Sequence, residues 1–135
     1  MDFSTAIQNL NWLAIFIAAL STFVLGGIWY SIFEKSWMAC NGFTHDYLKE
    51  RKMTLVFGLS FLLSFIMAFN LAMFIGKEGV AFGTMAGFMT GFGWVALAIG
   101  IIALFEKRPL KYVLINGGYM IIAFTVMGAI LGTWK

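Results

Sequence analysis

Residues 79–105 read GVAFGTMAGFMTGFGWVALAIGIIALF and contain no Asp, Glu, Lys, Arg or His. Residues 3–33, 53–76 and 112–134 are equally free of those five residue types. A helix needs roughly 20 mostly apolar residues to cross ~30 Å of hydrocarbon, because each residue advances it by about 1.5 Å. All four runs are long enough, and none alternates between apolar and polar residues as the strands of a membrane barrel do. The sequence therefore predicts four transmembrane helices.

The overall composition is that of a protein lying mostly in lipid. Hydrophobic residues make up 61% of the chain and charged residues only 11%, and the mean hydropathy of +0.91 is far above that of soluble domains. We expect an all-α integral membrane protein, a four-helix transmembrane bundle that forms one domain over residues 1–135. The predicted spans are about 11–33, 53–76, 80–105 and 112–134.

The charged residues are unevenly divided between the two ends of the predicted helices. The connections after the first and third helices carry most of the basic residues, namely Lys35, Lys49, Arg51, Lys52, Lys107, Arg108 and Lys111. The opposite end has only Lys77 and Lys135. Because basic residues are enriched in cytoplasmic loops, we expect both basic connections in the cytoplasm and both the N-terminus and the C-terminus outside. This bias already accounts for the net charge of +3, so we expect no nucleic-acid partner.

The connection after the first helix includes the mixed segment WMACNGFTHDYLKER at residues 37–51. Thr44 is a good helix N-cap, and Asp46 suits the first turn of a helix because its charge complements the helix dipole. Tyr47 and Leu48 are followed by basic residues. The pattern predicts a short amphipathic helix that lies on the cytoplasmic surface of the membrane.

Small residues recur every four positions on each predicted helix, most clearly as Gly79, Gly83, Gly87 and Gly91 on the third. Lipid tails are as apolar as leucine side chains, so helices in a bilayer associate through close packing, which small residues allow. The pattern favours a tight bundle with this ridge packed inside it. Two other roles stay open for the ridge, a contact between copies of the chain and the lining of a pore.

Two further side chains stand out inside the predicted spans. Asn70 lies near the outer end of the second span, and an asparagine facing lipid would be costly, so we expect it to face protein. Trp94 is near the middle of the third span, too deep for the aromatic belt at the membrane surface. We expect Trp94 inside the bundle or at a contact between copies. Both are candidates either for packing or for a path taken by a solute.

A second candidate group lies at the cytoplasmic ends of the first and fourth spans. Trp29 and Tyr30 end the first span, where aromatic rings favour the level of the lipid headgroups, so membrane anchoring is their simplest role. Asn116 and Tyr119 lie at a similar depth near the start of the fourth span. We therefore predict that these four side chains form one polar and aromatic cluster that faces the bundle.

Residue types that carry chemistry are missing from the spans. No carboxylate, histidine or lysine lies within a span to relay protons or couple transport to charge. The sequence also lacks a glycine-rich phosphate loop and a Cys, His or carboxylate cluster at metal spacing. We expect no catalytic, cofactor-binding or metal-binding residues, no cofactor, and no enzymatic activity.

The motifs WYS at residues 29–31, WM at 37–38, RPL at 108–110 and INGGY at 115–119 carry a family resemblance. The chain resembles, from Asn11 to Trp134, a bacterial family of small membrane proteins named domain of unknown function 1761. The resemblance implies a multi-pass protein of the bacterial cytoplasmic (inner or plasma) membrane. It gives weight to the predicted cluster of Trp29, Tyr30, Asn116 and Tyr119, and it implies no activity.

One segment departs from that family's usual pattern. Members often have Pro-Leu and a Gly before the basic residue, whereas this chain has Ile32-Phe33-Glu34-Lys35. A continued helix can therefore replace the tight turn expected at this point.

Three classes of function are compatible with these observations, and the least favoured is an enzyme that acts on lipid, because no nucleophile or base is recognisable. The first is a structural or partner-binding membrane protein, whose partners are the lipid bilayer and either further copies of the chain or another membrane protein. The alternative is a channel or facilitator for a small neutral or weakly polar solute, with Asn70, Trp94 and Asn116 along its path.

Overall fold

The computed structural model describes residues 2–134, and every regular element in this part of the chain is helical. The elements are, in order, α1 (Phe3–Gln8), α2 (Trp12–Ile32), α3 (Glu34–Asn41), α4 (His45–Lys49), α5 (Met53–Ile75), α6 (Val80–Thr90), a π-helical turn (Gly91–Ala96), α7 (Leu97–Phe105) and α8 (Leu110–Thr133).

Within these residues, four helices are long and apolar enough to cross a membrane. We call them spans 1 to 4: Trp12–Ile32, Met53–Ile75, Val80–Phe105 and Leu110–Thr133. Span 3 is continuous and includes α6, the π-helical turn and α7. The prediction of an all-helical chain with four such helices is confirmed.

Local sequence explains where several helices begin and end. The Asn11 side chain accepts a hydrogen bond of 3.1 Å from the backbone N–H of Ala14 and so caps span 1. Thr44 caps α4 in the same way, as predicted, through a bond of 3.1 Å from the N–H of Tyr47. Span 2 ends at Gly76, whose φ of 58° is unfavourable for other residues.

Span 1 and α3 are separate helices. Phe33 has φ −101° and ψ 16°, which are not helical values, so the chain bends there before α3 begins at Glu34. The expectation of a helix continuing through residues 32–35 is therefore wrong. The bend lets α3 lie against span 4.

Span 4 is the centre of the bundle, because it packs against spans 1, 2 and 3 as well as α3. Spans 1 and 3 run in one direction, and spans 2 and 4 return. Residues 33–52 and 106–109 therefore lie at one end, the basic end. Residues 76–79 lie at the other, the terminal end, together with residues 2–11 and Trp134. The assignment of the basic end to the cytoplasm stays a prediction.

Glycines form the contact between spans 3 and 4, which we call the glycine seam: Gly79, Gly83, Gly87 and Gly91 face Gly128, Gly132 and the backbone of residues 121–125. A Cβ atom added to Gly87 would lie only 2.8 Å from the carbonyl carbon of Phe124. One added to Gly132 would lie 2.6 Å from the carbonyl oxygen of Gly79. The two backbones therefore touch without intervening side chains. Gly83, Gly87 and Gly91 of the ridge are buried in this contact, whereas Gly79, just before span 3, is exposed.

Small and medium apolar residues form the core of the terminal half, where spans 1, 2 and 4 meet. Ala14, Ile15 and Ala18 of span 1 are fully buried, as are Ala68 of span 2 and Met127 of span 4. Close-packed side chains of this kind leave few voids large enough for water. The terminal half of the bundle therefore has a closely packed apolar core.

Adding one methyl group at the glycine seam tests its packing. We expect Gly87→Ala to lower the free energy of unfolding by about 2 kcal/mol or more, because the new Cβ meets backbone atoms that cannot move aside. The matched control is Gly58→Ala in span 2, where a Cβ has no neighbour within 4 Å. That variant should have unchanged stability or gain up to about 1 kcal/mol. Unfolding by SDS, followed by circular dichroism, measures both; equal stabilities would contradict the seam.

Candidate functional site

The predicted cluster of Trp29, Tyr30, Asn116 and Tyr119 lies where span 1 meets span 4, and we call it the polar cluster. The Tyr30 hydroxyl donates a hydrogen bond of 2.7 Å to the side-chain oxygen of Asn116. The indole N–H of Trp29 donates one of 2.9 Å to the backbone carbonyl of Ile115. The rings of Tyr30 and Tyr119 meet edge to face, 5.3 Å between centroids. The structure thus brings all four side chains to one place.

Two glycines make room for the aromatic rings of this cluster. A Cβ on Gly118 would lie 3.0 Å from the Trp29 ring, and one on Gly26 would lie 3.3 Å from the Tyr119 hydroxyl. Close approach lets Tyr119 donate a hydrogen bond of 2.8 Å to the backbone carbonyl of Thr22. The sequence analysis did not single out these glycines for this purpose, although the Gly-Gly pair just before Tyr119 was a usable signal.

A chain of aromatic contacts continues from the polar cluster towards the basic end. Tyr30 contacts Trp37 of α3, with ring centroids 5.9 Å apart, and Trp37 contacts Phe43 at 5.1 Å. Edge-to-face contacts of this kind add modest stability beyond the area that they bury. These aromatic contacts therefore hold α3 over the end of the bundle.

Arg108, in the connection between spans 3 and 4, also holds α3 in place. Its guanidinium donates to the side-chain oxygen of Asn41 at 3.3 Å and to Glu106 at the same distance, and it lies over the Tyr112 ring at 5.3 Å. Asn41 in turn donates to the backbone carbonyl of Trp37 at 2.8 Å. Every buried side-chain nitrogen or oxygen atom among residues 2–134 has a hydrogen-bond partner. The polar cluster and the contacts of Arg108 thus connect span 1, α3 and span 4 through packed side chains and hydrogen bonds.

A different site lies on the side of the bundle, between spans 2 and 3, and we call it the groove. Its volume is about 760 Å³, and Phe124 of span 4 is part of its lining. Span 2 contributes Met67, Asn70, Leu71 and Phe74, and span 3 contributes Phe82, Met85, Ala86, Met89, Thr90, Gly93 and Trp94. The lining is almost entirely apolar. The groove opens sideways, towards the position that lipid takes around the bundle.

Asn70 and Trp94 both line this groove, and both are exposed in the single chain. Trp94 has 80% of its surface exposed. The expectation that Asn70 faces protein is therefore wrong within one chain. Of the two places expected for Trp94, the inside of the bundle is wrong, and a contact between copies stays a prediction. The physical reason is that the bundle interior at this level is already filled by the glycine seam and by Phe124. The two candidates for a path or packing role are brought to one groove.

The π-helical turn at Gly91–Ala96 sets the direction of Trp94. Residues facing span 4 are spaced by four from Gly87 to Gly91, but the next is Ala96, five residues on. Ala96 contacts Gly117 of span 4, since a Cβ atom added to Gly117 would lie 3.2 Å from the Cβ atom of Ala96. The extra residue of the π-helical turn shifts the register, and Trp94 lies off the seam. Such turns are rare and frequently mark functional sites.

Metal or cofactor ligands are not grouped in the part of the chain that is described. No three His, Cys, Asp or Glu side chains among residues 2–134 lie close enough to hold a metal ion together. The polar side chains in the lining of the groove are Asn70, Thr90 and Trp94, which offer one amide, one hydroxyl and one indole N–H among apolar walls.

The fold defines the class of the protein. Four helices long and apolar enough to cross a membrane indicate a multi-pass membrane protein. The chain belongs to the family described as Protein of unknown function (DUF1761), whose sequence profile matches residues 13–132. The resemblance carried by the WYS and INGGY motifs is confirmed. No match was found among curated proteins or among solved structures.

Removing one hydroxyl tests the polar cluster. We expect Tyr30→Phe to lower the free energy of unfolding by about 0.5–1.5 kcal/mol, because Asn116 loses its donor at a partly buried position. In a double-mutant cycle, the effect should largely vanish in an Asn116→Ala background. Ser31→Ala is the control, since that exposed hydroxyl bonds only its own helix, at Gly27. Additive effects of Tyr30→Phe and Asn116→Ala in SDS unfolding would contradict the bond.

Proposed function

We propose that the protein acts by binding a partner inside the bilayer, and that the groove between spans 2 and 3 is its binding surface. The observation that carries this proposal is the exposure of both Asn70 and Trp94 on one apolar groove. Neither side chain has a hydrogen-bond partner among residues 2–134. Polar groups left unpaired in hydrocarbon are costly, so a partner that pairs with them gains binding energy.

The depth of Trp94 restricts what that partner can be. At about 1.5 Å per residue, Trp94 lies ~21 Å along the helix from Val80 and ~17 Å from Phe105. The polar parts of lipids lie at the two interfaces, and the middle of the bilayer offers only hydrocarbon. An acceptor for the Trp94 N–H must therefore come from a molecule that carries polar groups deep into the membrane. Another transmembrane segment fits this requirement.

The packed core favours this role over a solute facilitator formed by one chain. Any path along the bundle axis would cross the layer of Ala14, Ile15, Ala18 and Met127, all fully buried. The hydroxyls of Thr22 and Ser64, 3.2 Å apart, lie on the basic side of that layer. The polar cluster and these hydroxyls are bonded to each other or to the backbone, which suits packing better than conduction.

The proposal also includes an orientation and a location. The basic end, with Lys35, Arg51 and Lys107, faces the cytoplasm under the rule that favours basic residues inside. The membrane is then the cytoplasmic membrane of a bacterium, as the family resemblance implies. The protein is proposed to act by association and not by catalysis.

Site-specific photo-crosslinking in native membranes tests the proposed binding surface. A photoreactive residue replaces Met89, which lines the groove and is 54% exposed, or Val24 of span 1, which is 66% exposed and outside the groove. We expect protein adducts from position 89 and only lipid adducts from position 24. Lipid adducts alone at both positions would contradict the proposed function.

A further inference from the structure

We infer that the partner in the groove is a second copy of this chain, related to the first by a twofold axis so that the two grooves face each other. This inference rests on the proposed function and names the partner of the same site. Two grooves facing each other form an isologous interface, in which the same patch is used twice and the assembly closes as a dimer. Such a patch has to be complementary to itself, and three of its residues meet that condition.

Asn70 is the first of them. A primary amide carries two N–H donors and an oxygen acceptor, so it pairs with an identical amide through two N–H···O bonds. Asn70 is exposed and its side chain has no hydrogen-bond partner among residues 2–134. It lies ~7 Å from the end of span 2 at Ile75, at about 1.5 Å per residue. Two copies of Asn70 near the twofold axis would satisfy each other. A lone asparagine at a helix contact commonly sets partner and register in this way.

Trp94 is the second. It stands out from span 3 with 80% of its surface exposed, and it lines the edge of the groove. A twofold axis through the grooves lets the Trp94 ring of each copy enter the groove of the other. The partner copy also supplies an acceptor at that depth. The Thr90 hydroxyl donates to the backbone carbonyl of Ala86 at 2.8 Å, so its oxygen keeps lone pairs for the Trp94 N–H.

Gly93 is the third. It lines the groove, and a Cβ atom placed there would have no neighbour within 4 Å among the described residues of its own chain. The glycines of the seam are needed to admit span 4, whereas nothing inside the chain requires a glycine at residue 93 for space. A helix face without side chains lets a second helix approach closely in a bilayer. The missing side chain at Gly93 thus leaves space for a helix of the second copy. The neighbouring Trp94 ring enters the groove of that copy.

A lipid acyl chain explains less of this arrangement. It fits apolar walls, but in the middle of the bilayer it has neither a donor nor an acceptor for the indole of Trp94. A different membrane protein would need a matching amide and acceptor at the same two depths. The second copy has them because its sequence is identical.

Energy transfer between labelled chains, diluted with lipid in vesicles, tests the dimer. Wild-type protein should give a dimer signal that falls on dilution. Gly93→Leu should weaken dimerisation about tenfold or more by filling the gap, and Asn70→Leu should weaken it roughly five- to tenfold by removing two hydrogen bonds. Gly58→Leu, at an open glycine of span 2 outside the groove, should dimerise like the wild type. All three variants change positions that are open in the single chain, so circular dichroism should show unchanged folding.

Each possible result decides the inference. A wild-type chain that stays monomeric at all dilutions overturns it, and so does a dimer that Gly93→Leu and Gly58→Leu affect equally. If the chain is monomeric while position 89 captures a different protein, the dimer is wrong and the proposed function stands. If position 89 captures only lipid and the chain is monomeric, both fail.

Discussion

The close contact between spans 3 and 4 is the constraint on which the rest of the structure depends. In water, helices associate because burial removes apolar surface from solvent, but lipid is as apolar as the side chains and gives no such gain. Attraction between helices then comes from packing, which is strongest where backbones touch. At Gly83, Gly87 and Gly128 an added methyl group would meet backbone atoms of the facing span. This contact fixes which face of span 3 is turned inward.

The exposed site follows from that choice of face. Because the glycines of span 3 pack against span 4, the larger residues of span 3 point to the side of the bundle. These are Met85, Met89 and Trp94. Span 2 contacts span 3 through α6, and the groove lies between the two spans. The π-helical turn keeps Ala96 on the seam despite the change of spacing. The internal packing and the outward groove are therefore two results of one arrangement, while the polar cluster locks span 1 to span 4 independently.

Much of the fold could be predicted from the sequence, because charge-free runs and small-residue spacing report directly on membrane spans and helix contacts. The pairing of Tyr30 with Asn116 was predictable as well, since both are a similar distance from the ends of their spans. The directions in which the Trp94 and Asn70 side chains point could not be predicted from the sequence. They depend on which helix face meets which neighbour, and on a π-helical turn that leaves no mark in composition. Likewise, spacing by four identifies Gly87 and Gly91, but only coordinates distinguish those filled positions from the open Gly93.

Hydrogen exchange of backbone amides, measured on the protein in lipid nanodiscs, tests the central role of the glycine seam most directly. Amides in the least stable parts of a fold exchange through local opening, and those in the most stable part exchange last. Residues 83–91 and 124–132 should exchange most slowly. Residues 57–63 lie inside span 2, where a Cβ added to Gly58 meets nothing within 4 Å, and they should exchange much faster. If the two seam segments exchange as fast as residues 57–63, the contact between spans 3 and 4 does not organise the bundle.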